Sequence, residues 1–106
     1  MDYLYGQFTE EQISSFKKQL HSKVHWLLLY KDPMTKDEYP NVNFNKYFVS
    51  LMLEIDGLNA LLLYPPEIVE MECVLQSAYI QTKQDNFNYH TYRKLILDAH
   101  SLIDKI

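Results

Sequence analysis

The chain has 106 residues, of which 47% are hydrophobic and 23% are charged, and its formal net charge is −4 at pH 7. This length suits one domain with one modest core, and this composition excludes wholesale disorder. The acidic balance and the single arginine, Arg93, argue against direct nucleic-acid binding, because phosphate neutralisation requires clustered Lys and Arg.

The first predicted helix covers about residues 9–30. Thr9 followed by Gln12 forms a capping box, the usual signature of a helix N-terminus. Apolar residues then recur every three or four positions, which places them on one helical face: Ile13, Phe16, Leu20, Val24 and Leu27. Residues 31–42 are polar and contain two prolines, so we predict a connector there.

The second predicted helix covers about residues 43–64. Asn43 is a good N-cap, and the pair Pro65 and Pro66 ends the helix because proline cannot continue the backbone ladder. The main apolar stripe of this helix has heptad spacing: Phe44, Phe48, Leu51, Ile55, Leu58 and Leu62.

Two further helices are predicted over about residues 66–82 and 88–106. The stripe of the third is Ile68, Met71, Leu75 and Ala78, and that of the fourth is Tyr92, Leu95, Ala99, Leu102 and Ile106. Four amphipathic helices joined mostly by short loops predict an all-α fold, an antiparallel four-helix bundle that forms a single helical domain over residues 1–106.

The second helix also has an apolar face opposite its main stripe. Leu53, Gly57, Ala60 and Tyr64 recur at helical spacing, flanked by Val49 and Leu61. A bundle helix normally buries one face, so a helix apolar on two faces needs a further surface to cover it. We predict a homodimer or a protein partner at these residues. The alternative is that the second helix is central and covered by its own chain.

Charge is unevenly distributed along the chain. No Lys or Arg occurs between Lys46 and Lys83, whereas that span contains Glu54, Asp56, Glu67, Glu70 and Glu72. We predict that Glu54, Asp56, Glu67 and Glu70 form an acidic rim around the apolar contact, suited to a basic partner. The alternative is that lysines on the outer helices balance these charges within the molecule.

Three other polar features lie on or beside the apolar stripes of the first three helices. Asn59 lies at the edge of the main stripe, where an amide must be hydrogen bonded, and is predicted to set the register of the core. Glu72 lies close to the stripe of the third helix and could be buried with a raised pKa. His21 and His25 are four residues apart, which permits a shared metal ion, although a third ligand such as a carboxylate would be needed.

These patterns favour a non-catalytic protein-interaction module, a small regulator, inhibitor or assembly factor that binds itself or a partner through the second and third helices. One alternative is a metal-binding helical-bundle enzyme or sensor that uses His21 and His25, and another is an acidic mimic that blocks a nucleic-acid-binding protein. No cofactor is predicted. We expect a cytoplasmic protein, because the N-terminus resembles no secretion signal and Glu54 and Asp56 interrupt the most apolar stretch.

Overall fold

The computed structural model describes residues 9–106, except for the side chain of Lys36. The described residues form four α-helices and one 3-10 helix: α1 (Glu10–Leu29), the 3-10 helix (Lys36–Glu38), α2 (Phe44–Leu61), α3 (Pro66–Thr82) and α4 (Tyr89–Ile103). The predicted all-α bundle is confirmed. Helices α2 and α4 end three residues earlier than predicted, and the predicted connector contains only the single 3-10 turn.

Side chains cap the N-termini of α1, α2 and α4, and Thr9 and Asn43 do so as predicted. The Thr9 hydroxyl accepts from the Gln12 amide at 3.1 Å, and the Gln12 side chain accepts from the Thr9 amide at 2.9 Å. The Asn43 and Asn88 side chains accept from backbone amides of α2 and α4, and α3 has no side-chain cap but has Pro66 in its first turn, where the missing N–H is not needed.

Helix α4 lies at the centre of the bundle. It packs along both α1 and α3, whereas α2 packs more loosely against α3. The Tyr92 hydroxyl of α4 donates to the backbone carbonyl of Leu27 at 2.7 Å, inside the core. Helix α2 is tied to α1 by side chains, because the Tyr47 hydroxyl donates to the Lys23 carbonyl at 2.8 Å.

The central position of α4 changes its buried face from the predicted one. Tyr92, Ala99 and Leu102 are buried as predicted, but Leu95 and Ile106 are only half-buried. Ile96 and Ile103 are fully buried although neither belongs to the predicted stripe. A helix contacted by neighbours on two sides buries a wider arc than a single stripe, and the sequence pattern of α4 alone does not reveal those neighbours.

Aromatic rings hold the connector against the bundle. Trp26 stacks on Tyr30 with ring centroids 5.4 Å apart, and Tyr39 from the connector meets both rings edge-on. Tyr47 of α2 closes the cluster against Tyr30 at 5.2 Å. Such edge-to-face pairs contribute stability beyond that of the area that they bury, so this cluster holds α1, the connector and the start of α2 together.

Helix α2 ends in a left-handed turn built without glycine. Leu63 and Tyr64 have φ angles of 62° and 57°. The Leu63 amide donates to the Ala60 carbonyl at 3.2 Å and the Tyr64 amide to the Asn59 carbonyl at 2.8 Å, the two bonds of a Schellman motif. Glycine usually occupies the first left-handed position because a Cβ costs about 1 kcal/mol there.

Leu63→Gly is therefore expected to raise the free energy of unfolding by about 1 kcal/mol, because it relieves the strain of the left-handed backbone. Urea denaturation followed by the fluorescence of Trp26, the single tryptophan, measures the change. Ser50→Gly is the matched control, since Ser50 is exposed in the right-handed body of α2 and glycine should cost about 0.5 kcal/mol there. Equal destabilisation by both variants would contradict the assigned strain.

Candidate functional site

The outward side of α2 is apolar and open to solvent. Leu53 is 68% exposed and Tyr64 62% exposed, although the residues on the opposite side of the helix are buried. Gly57 and Val49 are also exposed, while Ala60 is half-buried. We call these five residues the outer face of α2. The described residues cover this face only in part, so they do not enclose α2 on all sides as the alternative of a central α2 requires.

Gly57 has no internal role that requires glycine. A Cβ built at this position meets nothing within 4 Å, and its φ lies outside the left-handed region. Glycine in the middle of a helix costs about 1 kcal/mol relative to alanine. The packing within the described residues therefore does not explain this glycine, whereas close approach of another helix would.

A groove with a volume of about 670 Å³ separates α2 from α3. Its walls are mainly apolar: Val49, Met52 and Leu53 from α2, and Cys73, Leu75 and Tyr79 from α3. Val69 and Ile80, also exposed on α3, extend the apolar surface of that helix beyond the groove. We call this groove the α2–α3 groove.

Two carboxyl groups meet in the α2–α3 groove. Asp56 of α2 and Glu72 of α3 both line it. Burial and the charge of Asp56 raise the pKa of the Glu72 carboxyl, while the Asn59 amide acts in the opposite direction. Glu72 Oε1 is buried and accepts no hydrogen bond from any described residue. The groove therefore has two carboxyl groups and no lysine or arginine in its lining, and Glu72 Oε1 lacks a hydrogen-bond partner among the described residues.

Asn59 lies beside this carboxyl pair. It is 2% exposed, which agrees with its predicted core position, but its Oδ1 accepts no hydrogen bond from any described residue. A buried acceptor left unpaired costs about 1 to 3 kcal/mol. The role of Asn59 in setting the register of the core stays a prediction.

The other predicted rim residues lie elsewhere on the hairpin that α2 and α3 form. Glu54 forms an ion pair with Lys23 of α1, on the far side of α2. That side has a smaller depression of about 320 Å³, which Glu54, Gly57 and Leu61 help to line. Glu67 and Glu70 do not line the α2–α3 groove. Of the four predicted rim acids, only Asp56 borders it.

Sequence reasoning missed Met52, Gln76 and Tyr79 of the groove, which helical spacing could have revealed. Met52 lies four residues before the predicted Asp56, which places both on one side of α2. Gln76 and Tyr79 follow Glu72 at steps of four and three on α3. Both rows flank the main stripes, and their meeting in one groove depends on which sides of α2 and α3 face each other.

The histidines of α1 and α4 form a second polar cluster. His21 Nδ1 lies 2.9 Å from His100 Nε2, and His21 Nε2 lies 2.8 Å from Asp104 Oδ1. Both ring nitrogens of His21 thus already have partners, and His25 is exposed. Within residues 9–106 no group of three or more His, Cys, Asp or Glu side chains is placed to hold a metal ion. A metal site at His21 and His25 stays a prediction.

This histidine cluster predicts a loss of stability in mild acid. Burial and the charges of His21 and His25 lower the pKa of His100 from its ordinary value of 6.5, with Asp104 opposing them. The unfolded chain consequently binds more protons than the folded chain below about pH 6.5, so the free energy of unfolding falls as the pH decreases through that window.

Urea denaturation at pH 7.5 and 5.5 tests this expectation. His100→Gln retains an amide donor without a titrating ring, so it should lose less stability than the wild type on acidification. An identical loss in both proteins would assign the acid sensitivity to other groups.

Among the described residues, no helix combines the length and the apolar character needed to cross a lipid bilayer. Comparison of the chain with models of protein families, with curated proteins and with solved structures gives no match.

Proposed function

We propose that this protein is a non-catalytic interaction module, a small regulator, inhibitor or assembly factor that binds another protein, or a second copy of itself, through α2 and α3. The observation that carries the proposal is the exposed apolar surface formed by the outer face of α2 and the α2–α3 groove. Leu53, Tyr64, Val69 and Ile80 on or beside this surface are exposed while the core forms without them, so folding of the described residues does not account for their exposure.

The size and chemistry of the surface support a contact with protein. Full burial of one side chain such as Leu53 or Val49 contributes about 1.5 to 3 kcal/mol, so a few of them could anchor an interface. Tyr64 offers an apolar ring with a polar tip, a residue type enriched at interfaces. Gly57 and Ala60 leave room for the backbone of an approaching helix.

Light scattering over a range of concentrations tests the self-association form. Ala60→Arg places a long cation on the outer face of α2, while Ser101→Arg places the same cation on an exposed position of α4 and serves as the matched control. A dimer that Ala60→Arg dissociates and Ser101→Arg leaves intact would support self-association. A wild type that stays monomeric at high concentration would remove that form.

Capture from a native lysate tests the partner form. Proteins retained by the wild type and by Ser101→Arg, but not by Ala60→Arg, are identified, purified and titrated against the wild type by calorimetry. Direct binding that depends on Ala60 supports the proposal. A monomeric wild type whose bound proteins are the same as those of Ala60→Arg would overturn it.

A further inference from the structure

We propose that the α2–α3 groove binds a basic amphipathic helix of a partner protein, with apolar side chains of that helix in the groove and a lysine or arginine paired with Asp56 and Glu72. This inference rests on the proposed function and specifies its partner. Three independent observations support it: the shape of the groove, the charge of the α2–α3 hairpin and the unpaired acceptors in the groove.

The shape of the groove suits a helix. It runs between two helices, is open along one side, and has apolar walls from both: Met52 and Leu53 on α2, Leu75 and Tyr79 on α3. Side chains that project from a third helix pack into such a trough as ridges pack into grooves. Docking of an apolar helix face into a groove between helices is a common mode of peptide recognition.

The negative charge of the α2–α3 hairpin favours a basic helix, rather than a second copy of this chain, as the occupant of the groove. Every charged residue between Lys46 and Lys83 is acidic. Of these residues, Glu54 is paired with Lys23, but Asp56 and Glu72 form no ion pair with any described residue. Two copies of this hairpin face to face would bring like charges together in a desolvated contact, which is unfavourable, whereas a basic helix would complement the surface.

Neither of the two lysines that border this acidic span, Lys46 and Lys83, forms an ion pair with Asp56 or Glu72. Lys83 Nζ donates to Asn45 Oδ1 at 2.7 Å and lies 5.1 Å from the centre of the Tyr79 ring, so it has partners at the end of α3. The positive charge that complements Asp56 and Glu72 is therefore expected to come from a partner.

The unpaired hydrogen-bond acceptors in the groove favour a partner residue with several N–H donors. Glu72 Oε1 and Asn59 Oδ1 are both buried and without a donor among the described residues, and the Asp56 carboxyl is adjacent to Glu72. An ammonium group has three N–H donors and a guanidinium group has five. Hydrogen bonds from a cation to a carboxylate are about twice as strong as neutral ones, so one basic residue could both neutralise and satisfy this pair.

Fluorescence anisotropy with two synthetic peptides tests the inference. The probe is a fluorescein-labelled 18-residue amphipathic helix of leucine and lysine, and its counterpart has glutamate at every lysine position. We expect the basic peptide to bind the wild type at least about 10-fold more tightly than the acidic one. Asp56→Asn/Glu72→Gln should weaken binding of the basic peptide about 10-fold, which corresponds to the loss of about 1.4 kcal/mol.

Glu67→Gln/Glu70→Gln is the matched control. It removes the same charge from the same hairpin at residues that do not line the groove, and we expect less than about a 3-fold change, because Glu67 is half-buried and Glu70 is exposed, both outside the contact. Circular dichroism checks that each variant is folded, and Glu72→Gln alone replaces the groove double variant if that variant is unfolded.

Three outcomes would overturn this inference. Equal weakening of peptide binding by the two double variants would mean that the peptide is attracted to the acidic hairpin as a whole. Similar binding of the two peptides would mean a purely apolar contact. A wild-type dimer that prevents binding of the basic peptide would place a second copy in the groove. The proposed function survives each of these outcomes if Ala60→Arg still abolishes binding of a purified partner or dimerisation, so the two failures are distinguishable.

Discussion

Tyr92→Ala is expected to lower the free energy of unfolding by about 4 kcal/mol, because it removes a large, fully buried side chain from the centre of the bundle. The Tyr92 ring packs against Phe44 and Phe87, with centroids 6.4 and 5.7 Å away. Its hydroxyl also satisfies the buried Leu27 carbonyl. A loss of this size is a large fraction of the stability of a small domain, and urea denaturation measures it.

Tyr92→Phe separates the ring from the hydroxyl. It keeps the packing and removes only the hydrogen bond to Leu27, so the expected loss is about 1 kcal/mol. Burial raises the pKa of the Tyr92 hydroxyl, so this donor stays protonated over the whole range of ordinary measurements. Equal losses from the two variants would contradict the central packing role of the ring.

Leu53→Arg is expected to weaken binding of the protein to its partner about 100-fold while leaving the isolated domain as stable as the wild type. Leu53 borders both the outer face of α2 and the α2–α3 groove, so arginine there removes apolar contact and introduces a charge that must be desolvated. Because the Leu53 side chain is largely exposed in the isolated domain, its stability should change by less than about 0.5 kcal/mol.

Met34→Arg is the control for Leu53→Arg. Met34 is 90% exposed in the connector, so the substitution makes the same change in charge at an exposed apolar residue away from α2. Titration calorimetry with the purified partner and thermal denaturation of both variants provide the comparison. Equal affinity of Leu53→Arg and the wild type would exclude the outer face of α2 from the contact.

Two features that lower the stability of the isolated domain lie on or beside the outer face of α2, where Leu53 is also exposed. Gly57 weakens the helix, and Leu63 adopts a left-handed conformation. Residues that lower the stability of a fold are found more often at functional sites than elsewhere. The presence of Gly57 and Leu63 on or beside the outer face of α2 supports the assignment of this face to binding.

The helices themselves are determined by local sequence. Capping by Thr9 and Asn43 depends on groups within a few residues of each other, so the sequence alone is sufficient to place the starts of α1 and α2. The end of α2 was predicted less well, because the helix ends at Leu61, before the left-handed turn that precedes Pro65. The apolar stripes of α2 and α3 predict their buried faces for the same reason, because helical periodicity is a local property. The exposed second face of α2 follows from that periodicity as well.

Tertiary packing determined how these helices are arranged relative to one another and which side chains meet. It made α4 rather than α2 the central helix, which is why Ile96 and Ile103 are buried and the outer face of α2 is open. It also placed Glu72 against Asp56 and His21 against His100, pairs 16 and 79 residues apart along the chain. Such meetings depend on the rotation and spacing of whole helices, which long-range packing sets and which no local pattern in the sequence specifies.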